Sequence, residues 1–312
     1  MLVRDAPGLE VFMVRRNPRS TFVPGAYVFP GGQVDAADAS PAVLDRSAGF
    51  DPASADERLG TPGAARFWVA AVRESFEEAG VLVARSRSDG ALLDANDATG
   101  AALAGDRTRL LRGATDLVSV LDAHDAQLDL GALVPFARWI TPLGAPKRFD
   151  TWFFVALAPD GHAYEHDDNE MVASEWVHPD AALERARTGE IELIYPTIRS
   201  LLVMRRYPSA RAFLDAAHAR WAAPAALRVM DHEQGWQLDL TSEDEHRFAD
   251  PPSPPARLDP FEPRGEDDTV GCPGRADGPR RTRPRVTGDH EDQLRDGSVA
   301  GQRRHRPGLD DC

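Results

Sequence analysis

The sequence predicts a sandwich of mixed α/β or α+β class rather than a doubly wound parallel sheet. Two short apolar segments, at residues 1–4 and 11–14, flank a turn at residues 6–8 and so predict a β-hairpin. Residues 64–79 form the clearest helical pattern in the chain, and strands and helices are interspersed after it. A hairpin followed by mixed elements is typical of a layered sheet with helices packed on it.

The other elements follow from apolar periodicity and turn residues. Residues 22–32 predict a short strand between Pro-Gly turns, whereas residues 35–63 predict an inserted loop with room for a helical turn. Gly80 stands where a left-handed residue would end the helix of residues 64–79. Further helices are predicted at residues 107–123, 181–187, 197–206 and 210–222, and further strands at residues 152–157 and 174–177.

The composition excludes several classes of protein. Hydrophobic residues make up 42% of the chain and charged residues 28%, as in an ordinary soluble globular protein. The formal net charge of −14 argues against a nucleic-acid-binding surface. No apolar run approaches the roughly 18 residues that a membrane span needs, and the first residues do not resemble a secretory signal. We therefore expect a cytoplasmic protein that binds neither membranes nor nucleic acids.

The C-terminal part of the chain differs from the rest. Beyond about Thr241, Pro, Arg, Asp and Gly dominate without periodicity, and such a segment cannot bury enough apolar surface to offset its ordering entropy. Both cysteines, Cys272 and Cys312, lie in it, so neither a disulfide framework nor a cysteine-based zinc site is expected. We predict a folded domain at residues 1–240 and a disordered tail at residues 241–312; translation of part of the tail out of frame is an alternative.

The helix of residues 64–79 carries three carboxylates on one face. Glu74, Glu77 and Glu78 stand at positions i, i+3 and i+4, close to the end of the helix. Like charges at this spacing repel each other, and the helix macrodipole disfavours anions at the C-terminus. A solvated surface face is one interpretation. The other is a hard divalent cation, which prefers carboxylate oxygens and would compensate the charges.

The residues around these carboxylates resemble the Nudix box. Residues 73–81, Arg-Glu-Ser-Phe-Glu-Glu-Ala-Gly-Val, are similar to its second half, with Ser75 in place of an apolar residue. Gly32 and Asp38 have the spacing of its first half, in which the family has Gly and Glu. Residues 39–72 separate the two halves, against seven residues in the common form, which indicates an insertion at about residues 39–66. Long insertions in surface loops have only a modest entropic cost.

The resemblance implies a fold, a reaction and a cofactor. The fold is the Nudix α/β/α sandwich, with a mixed β-sheet between helices, over residues 1–240. The reaction is hydrolysis of a pyrophosphate bond with Mg²⁺ or Mn²⁺ as the cofactor. Carried over residue by residue, Glu74, Glu77 and Glu78 are the expected metal ligands. Gly32 is expected to let the backbone approach the metal closely.

The resemblance also assigns supporting and catalytic roles. Arg73 is expected to hold the helix carboxylates by bidentate pairing, and Asp38 to support the helix as the acid of the first half. Glu77 and Glu78 are expected to be catalytic as well as metal ligands. Glu170, in a later loop, is the candidate for a general base or additional ligand, with Asp168 as a substitute; a solvated loop is the alternative.

Several segments resemble the coenzyme A diphosphatases, and in particular their peroxisomal branch and its bacterial relatives. They include residues 14–32, 139–142, 148–151 and 193–201, together with the insertion inside the box. The resemblance implies a small nucleotide substrate and leaves a homodimer as an open alternative to a monomer.

The substrate-binding residues are predicted from the charge and shape of coenzyme A. A diphosphate and a 3′-phosphate should attract several cations, and Arg16, Arg19 and Arg148 are candidates, with Arg15 and Lys147 also available. Phe149 or Trp152 is a candidate for stacking on the adenine. The plain alternative is that the arginines keep the surface soluble and the aromatic residues belong to the core.

Three functions remain open. The first is a diphosphatase of coenzyme A or acyl-coenzyme A that yields 3′,5′-ADP and a phosphopantetheine. The second is a hydrolase of NADH, ADP-ribose or another dinucleotide. The third is a non-catalytic ligand sensor with a Nudix fold, which would not need the complete set of helix glutamates.

Overall fold

The computed structural model describes residues 1–95, 97–141, 148–221 and 230–231. The chain divides into two units, Met1–Pro263 and Arg264–Cys312, and every described residue belongs to the first. The predicted tail at residues 241–312 lies outside the described residues, so its disorder and its boundary stay predictions.

The described strands form two sheets. In chain order they are β1 (Leu2–Asp5), β2 (Leu9–Arg16), β3 (Tyr27–Val28), β4 (Ser47–Ala48), β5 (Ala84–Ser86), β6 (Ala126–Asp129), β7 (Val134–Ile140), β8 (Asp150–Leu157), β9 (Met171–Val177) and β10 (Met230–Asp231). The larger sheet has the order β10-β7-β8-β1-β2-β3, and β9 also pairs with β2. This sheet is mixed, because β1 runs antiparallel to β2 and parallel to β8. The smaller sheet has the order β4-β6-β5.

Helices cover the larger sheet. In chain order they are α1 (Pro41–Leu44), α2 (Pro52–Leu59), α3 (Ala65–Ala79), α4 (Asp97–Leu111), α5 (Leu117–Ala123), α6 (Pro179–Arg187), α7 (Tyr195–Met204) and α8 (Ala210–Trp221). Short 3₁₀ helices lie at Ala36–Ala39 and Leu130–Ala132. Within the described ranges, no helix combines the length and the apolar character needed to cross a bilayer.

The larger sheet lies between two apolar layers. On one face, Trp68 and Phe76 of α3 pack into a core that includes Phe154 of β8. On the other face, Leu201 of α7 and Phe213 of α8 belong to a second core formed with β2 and β7. Because the sheet buries apolar side chains on both faces, it needs a helical layer on each side. The predicted α/β/α sandwich with a mixed sheet is confirmed.

A gap opens in the larger sheet between β3 and β8. The ladder to β9 covers residues 11–16 of β2, so β1 and β3 must share the other edge of β2. Along this edge, β1 pairs with residues 9–11 of β2, and β3 pairs with residues 14 and 15 of β2. β8 pairs with β1 only at Ala156 and Leu157. The first half of β8 therefore faces β3 across an opening in the sheet.

The segment between the two halves of the box is folded, so the prediction of an inserted loop with room for a helical turn is wrong. It contains α1, β4 and α2, and its residues Val43 and Leu59 are buried in the same core as α3. Asp51 caps α2 by accepting a hydrogen bond from the Ser54 backbone N–H at 3.0 Å. The helices of this segment are too short and too rich in small residues to show a clear apolar period.

Other predicted elements are confirmed with changes in their bounds. The predicted helix at residues 107–123 is two helices, α4 and α5, separated by a turn in which Gly113 has a φ of 65°. The predicted strand at residues 22–32 is confined to β3. Strands β4, β5, β6, β7 and β10 were not predicted. The hairpin of β1 and β2, the helix α3 and the later elements β8, β9, α6, α7 and α8 lie where the sequence predicts them.

We expect Gly49→Ala to destabilise the protein much more than Gly60→Ala. Both glycines have positive φ, 106° and 61°. A Cβ at Gly49 would lie closer than 3.0 Å to backbone atoms of Gly131, whereas a Cβ at Gly60 would meet nothing within 4 Å. We expect Gly60→Ala to lower the free energy of unfolding by about 1 kcal/mol, because alanine is strained at positive φ. Gly49→Ala should lower it by at least about 2 kcal/mol more, because the backbone of Gly131 cannot move aside as the end of a side chain could. Urea unfolding measures both; equal losses would contradict the close packing of the insertion.

Candidate active site

Helix α3 presents one stripe of side chains to a cavity and another to the core. The cavity stripe, as we call it, consists of Phe67, Ala70, Ala71, Glu74, Ser75 and Glu78. These positions follow helical spacing, so the side chains lie on one face. Gly80 ends the helix with a φ of 69°, and its N–H donates to the carbonyl oxygen of Phe76, as predicted.

The cavity lies at the gap in the larger sheet. Its walls include Val28 and Phe29 on the β3 side and Trp152 and Phe153 on the β8 side. Its volume is about 1410 Å³. Most ligand pockets have roughly 300–1,000 Å³. The cavity is therefore large enough for a ligand bigger than a mononucleotide.

At Gly31 and Gly32 the backbone lies close to two carboxylates of α3. The backbone N–H of Gly31 donates to Oε2 of Glu78 at 2.8 Å, and Glu78 is only 4% exposed. A Cβ at Gly32 would lie closer than 3.0 Å to the carboxylate of Glu74. Gly32 therefore leaves room for the carboxylate of Glu74. The close approach of its backbone to a metal stays a prediction.

Arg73 connects the two halves of the box. Its Nε and Nη2 donate to the two oxygens of Asp38 at 2.9 and 3.1 Å, and Asp38 is only 2% exposed. Its Nη1 donates to Oε1 of Glu74 at 3.0 Å and to Oε2 of Glu77 at 2.9 Å. The bidentate partner of Arg73 is thus Asp38, whereas the helix carboxylates share one nitrogen. The supporting positions predicted for Arg73 and Asp38 agree with this geometry.

The environment disfavours the charged forms of the helix carboxylates. Burial raises the pKa of Glu74 to about 7, although the charge of Arg73 opposes the shift. Burial also raises the pKa of Glu77, and it raises the pKa of Glu78 well above its usual range. Repulsion from Glu74 and Glu170 raises the pKa of Glu78 further. The site therefore holds more negative charge than its arginines compensate.

The loop before β9 brings Glu170 to the same place. Glu170 lines the cavity and is near enough to Glu74 and Glu78 for its charge to raise their pKa values. Asp167 holds this loop by accepting the backbone N–H groups of Glu170 and Met171 at 3.0 and 2.8 Å. Its neighbour Asp168 is 89% exposed and pairs with a histidine at 3.0 Å. Asp168 is outside the cavity lining, so it is a poor substitute for Glu170.

Two of the predicted substrate-binding residues line the cavity. Arg16 is half-buried, and its charge lowers the pKa of Glu78, which places it next to the carboxylates. Its Nε donates to the carbonyl oxygen of Phe22 at 3.1 Å. Phe149 lies against Phe22 with ring centroids 4.6 Å apart, and Trp152 also lines the cavity.

The structure does not bring the other candidate cations to the cavity wall. Arg19 is exposed because a turn, closed by a bond from Ser20 N–H to the Asn17 carbonyl oxygen, directs it outwards. Arg148 is exposed, and its Nε donates to the carbonyl oxygen of Thr141 at 2.8 Å. Neither lines the cavity, so the geometry does not support their contact with the substrate. Lys147 lies outside the described residues.

Three residues of the site were missed in the sequence. Gly31 binds Glu78 through its backbone, and the Pro-Gly-Gly turn could have indicated this. Asn17 joins the loop of Glu170 to β2, because its backbone N–H donates to the Glu170 carbonyl oxygen at 2.8 Å. Arg107 of α4 donates from Nε to the carbonyl oxygen of Glu77 at 2.9 Å. Nothing in the local sequence points to Arg107, because it lies 26 residues beyond the end of the second half of the box.

The oxygen ligands suit a hard cation, although they are not arranged as a finished metal site. Among the described residues, no group of three or more His, Cys, Asp or Glu side chains is placed so that it could hold a metal ion. Glu74 and Glu77 both accept hydrogen bonds from Arg73. The set nevertheless consists of crowded carboxylates with raised pKa values, which is the chemistry that a divalent cation compensates.

Comparison with known proteins places this fold and site in a class. The family model of the NUDT19 Nudix domain matches residues 45–204, which is just over half of the chain. A crystal structure of a Nudix hydrolase from Alicyclobacillus acidocaldarius matches with a TM-score of 0.57 and 29% identity, over 69% of this chain and 92% of that one. The chain therefore belongs to the Nudix hydrolase family, within the group that the NUDT19 Nudix domain defines.

Two curated relatives belong to the same group. The acyl-coenzyme A diphosphatase NUDT19 of Homo sapiens is 31% identical over 223 residues, which cover 61% of this chain and 59% of the relative. The protein of the same name from Gallus gallus is 30% identical over 234 residues, 64% of this chain and 62% of the relative. The chain thus spans about three fifths of the length of these relatives. The resemblance to the coenzyme A diphosphatases is confirmed.

We expect Asp38→Asn to lower the free energy of unfolding by about 2–4 kcal/mol, because it removes a buried charge that Arg73 needs. Asp35→Asn is the matched control. Asp35 also faces Arg73, but at 3.9 Å and with its side chain 65% exposed, so we expect less than about 1 kcal/mol. Urea unfolding without added metal measures both. Similar losses in the two variants would show that Asp38 does not hold the guanidinium.

We expect Glu74→Gln to stabilise the metal-free protein at high pH. The pKa of Glu74 rises from 4.5 to about 7 on folding, so the folded state binds its proton more tightly than the unfolded state does. Stability should therefore fall as the pH rises from about 4.5 to about 7, by at most about 3 kcal/mol. A neutral glutamine avoids this loss and can still accept from Arg73.

The wild type and Glu74→Gln are unfolded in urea with a chelator present, at pH 8 and at pH 5. Glu74→Gln should exceed the wild type by roughly 1–3 kcal/mol at pH 8 and by less at pH 5. Glu57→Gln, at an exposed position of α2, serves as the control and should change little at either pH. A variant less stable than the wild type at pH 8 would contradict the unfavourable burial of this charge.

Proposed function

We propose that the chain is a metal-dependent Nudix pyrophosphohydrolase of coenzyme A or acyl-coenzyme A. The observation that carries the proposal is the cluster of buried carboxylates on the cavity stripe, against the Gly31-Gly32 turn, in a chain of the Nudix hydrolase family. The cluster is an anionic wall inside a cavity that must bind an anionic substrate. Such a wall needs a cation between itself and a diphosphate.

The chain's own residues provide the ligands and their support. We assign Glu74, Glu77 and Glu78 as ligands of Mg²⁺ or Mn²⁺, with Gly32 leaving the space beside them. Bound there, a divalent cation neutralises the diphosphate, polarises a P–O bond and activates a water molecule. Arg73 keeps the carboxylates of Glu74 and Glu77 in place through the bonds from its Nη1.

Two further residues contribute to the reaction. Glu170 is exposed at the cavity wall and close to Glu74 and Glu78, so it can accept the proton of the attacking water as a general base. Arg16 lines the same wall and supplies positive charge for the phosphates. Among the described residues, the side chain of Arg16 has one hydrogen-bond partner, the carbonyl oxygen of Phe22, so its remaining N–H groups can donate to a substrate.

The relatives support coenzyme A and its thioesters as the substrates. The two NUDT19 proteins are named acyl-coenzyme A diphosphatases. Cleavage of the diphosphate of coenzyme A yields 3′,5′-ADP and a phosphopantetheine. The aromatic side chains of Phe149 and Phe22, with ring centroids 4.6 Å apart, offer a surface on which the adenine can stack. The cytoplasmic location and the homodimer stay predictions.

The decisive measurement is product analysis with a panel of substrates. The purified chain is incubated with Mg²⁺ or Mn²⁺ and with coenzyme A, an acyl-coenzyme A, NADH or ADP-ribose, and the products are separated by chromatography. We expect metal-dependent release of 3′,5′-ADP from the first two. Glu78→Gln and Glu77→Gln should lower kcat by about 10²–10³-fold, because a lost ligand weakens a cation that contributes several kcal/mol.

Controls separate the alternatives. Glu57→Gln, outside the cavity, should keep the wild-type rate. Turnover of NADH or ADP-ribose in place of coenzyme A would keep the hydrolase and overturn the substrate. Binding of coenzyme A by a folded, metal-loaded protein without any product would overturn catalysis and favour the ligand sensor.

A further inference from the structure

We propose that Asn17 is a positioning residue, whose side-chain amide holds the loop of Glu170 so that the carboxylate of Glu170 stays beside those of α3. The inference rests on the proposed function and deepens it, because it names a residue that sets the position of the general base. Asn17 lies outside both halves of the box and is not part of the cavity lining. It therefore acts through Glu170 and not on the substrate itself.

The carboxylate of Glu170 has no polar partner that would fix it. Among the described residues it accepts no hydrogen bond and forms no ion pair, and Glu170 is exposed. The charge of Glu170 raises the pKa values of Glu74 and Glu78, so the three carboxylates are close enough to repel one another. A repelled side chain on a loose loop would turn away from α3. The backbone of the loop must therefore hold Glu170 in its place.

The backbone of this loop is bound from two sides. On one side, the carboxylate of Asp167 accepts the backbone N–H groups of Glu170 and Met171 at 3.0 and 2.8 Å. On the other side, Asn17 donates twice: its backbone N–H to the Glu170 carbonyl oxygen at 2.8 Å, and its Nδ2 to the Asn169 carbonyl oxygen at 2.9 Å. Both backbone groups of Glu170 are therefore bound, and its side chain alone is left for the cavity.

The turn that begins at Asn17 fixes the direction of its amide group. The Ser20 N–H donates to the Asn17 carbonyl oxygen at 2.9 Å, and Asn and Pro stand at the first two positions, as a β-turn favours. Within the turn, Oδ1 of Asn17 accepts the Arg19 backbone N–H at 2.9 Å. The opposite orientation of the amide would place its NH₂ group against that N–H and its oxygen against a carbonyl oxygen. The NH₂ group therefore faces the loop of Glu170.

The strand end that carries Asn17 also carries Arg16. The ladder between β2 and β9 shifts its register next to Arg16, which lies opposite Met171, and such bulges often redirect side chains beside active sites. Arg16 and Glu170 both line the cavity. The backbone N–H of Arg16 donates to the Ala26 carbonyl oxygen at 2.9 Å, so β3 holds Arg16 independently of the loop. Loss of the Asn17 side chain should therefore displace the general base more than the arginine.

The first test measures kcat and KM of the full chain for coenzyme A with Mg²⁺. Asn17→Asp keeps the oxygen that binds the Arg19 N–H and loses only the donor to the loop, whereas Asn17→Ala loses both. Each should lower kcat by about 10- to 100-fold, because a displaced catalytic group is costly, and leave KM within about threefold. Ser20→Ala, in the same turn, is the control and should keep the wild-type rate. A wild-type kcat in Asn17→Asp would overturn the proposal.

A double-mutant cycle with Glu170→Gln separates positioning from a general loss of structure. If Asn17 acts through Glu170, then Asn17→Asp should lower kcat by less than about threefold once Glu170 is already replaced. A purely structural defect would lower kcat by the same factor in both backgrounds, and that result would overturn the positioning role.

Hydrogen exchange separates this proposal from the proposed function, because it needs neither metal nor substrate. Amide exchange is followed by mass spectrometry, with a chelator present, in a peptide that contains residues 166–171. Asn17→Asp should speed this exchange at least about fivefold, and Ser20→Ala should not. Faster exchange in a protein that does not cleave coenzyme A would support the hold on the loop and overturn the proposed function. Unchanged exchange beside normal hydrolysis would keep the proposed function and overturn the role of Asn17.

Discussion

The guanidinium group of Arg73 is the interaction on which the rest of the site depends. It is half of a buried ion pair with Asp38, and the same group donates to Glu74 and Glu77. Asp38 precedes the insertion and Arg73 follows it, so this pair joins two segments that are separated by 34 residues in the sequence. A bidentate guanidinium–carboxylate pair has a fixed geometry, and it therefore sets the position of the Gly31-Gly32 turn against α3.

The buried carboxylates beside Arg73 destabilise the folded state. Burial raises the pKa values of Glu74, Glu77 and Glu78, which means that ionised carboxylates are placed where water cannot solvate them well. The apolar layers on both faces of the sheet supply the stability that tolerates this charge. Crowded carboxylates that the fold holds in place are the ligands that a hard divalent cation prefers.

The insertion contributes to the site rather than only separating the halves of the box. Its short helices α1 and α2 pack into the same core as α3. Farther along the chain, Arg107 of α4 binds the last turn of α3 at the carbonyl oxygen of Glu77, and Leu110 and Leu111 of α4 line the cavity. The insertion therefore supports α3 by packing, whereas α4 both supports α3 and contributes to the cavity wall.

The sequence by itself determined the fold class, the helix α3 and its acidic pattern, because apolar periodicity and the spacing of residues 73–81 are local properties. It also indicated Arg73, Asp38, Gly32, Glu170, Arg16 and Phe149, all of which the fold brings to one region. Only the tertiary structure decided that Arg19 and Arg148 do not line the cavity, that Arg107 supports α3, and that the insertion is folded. These features depend on contacts between segments distant in the sequence, and no local pattern encodes such contacts.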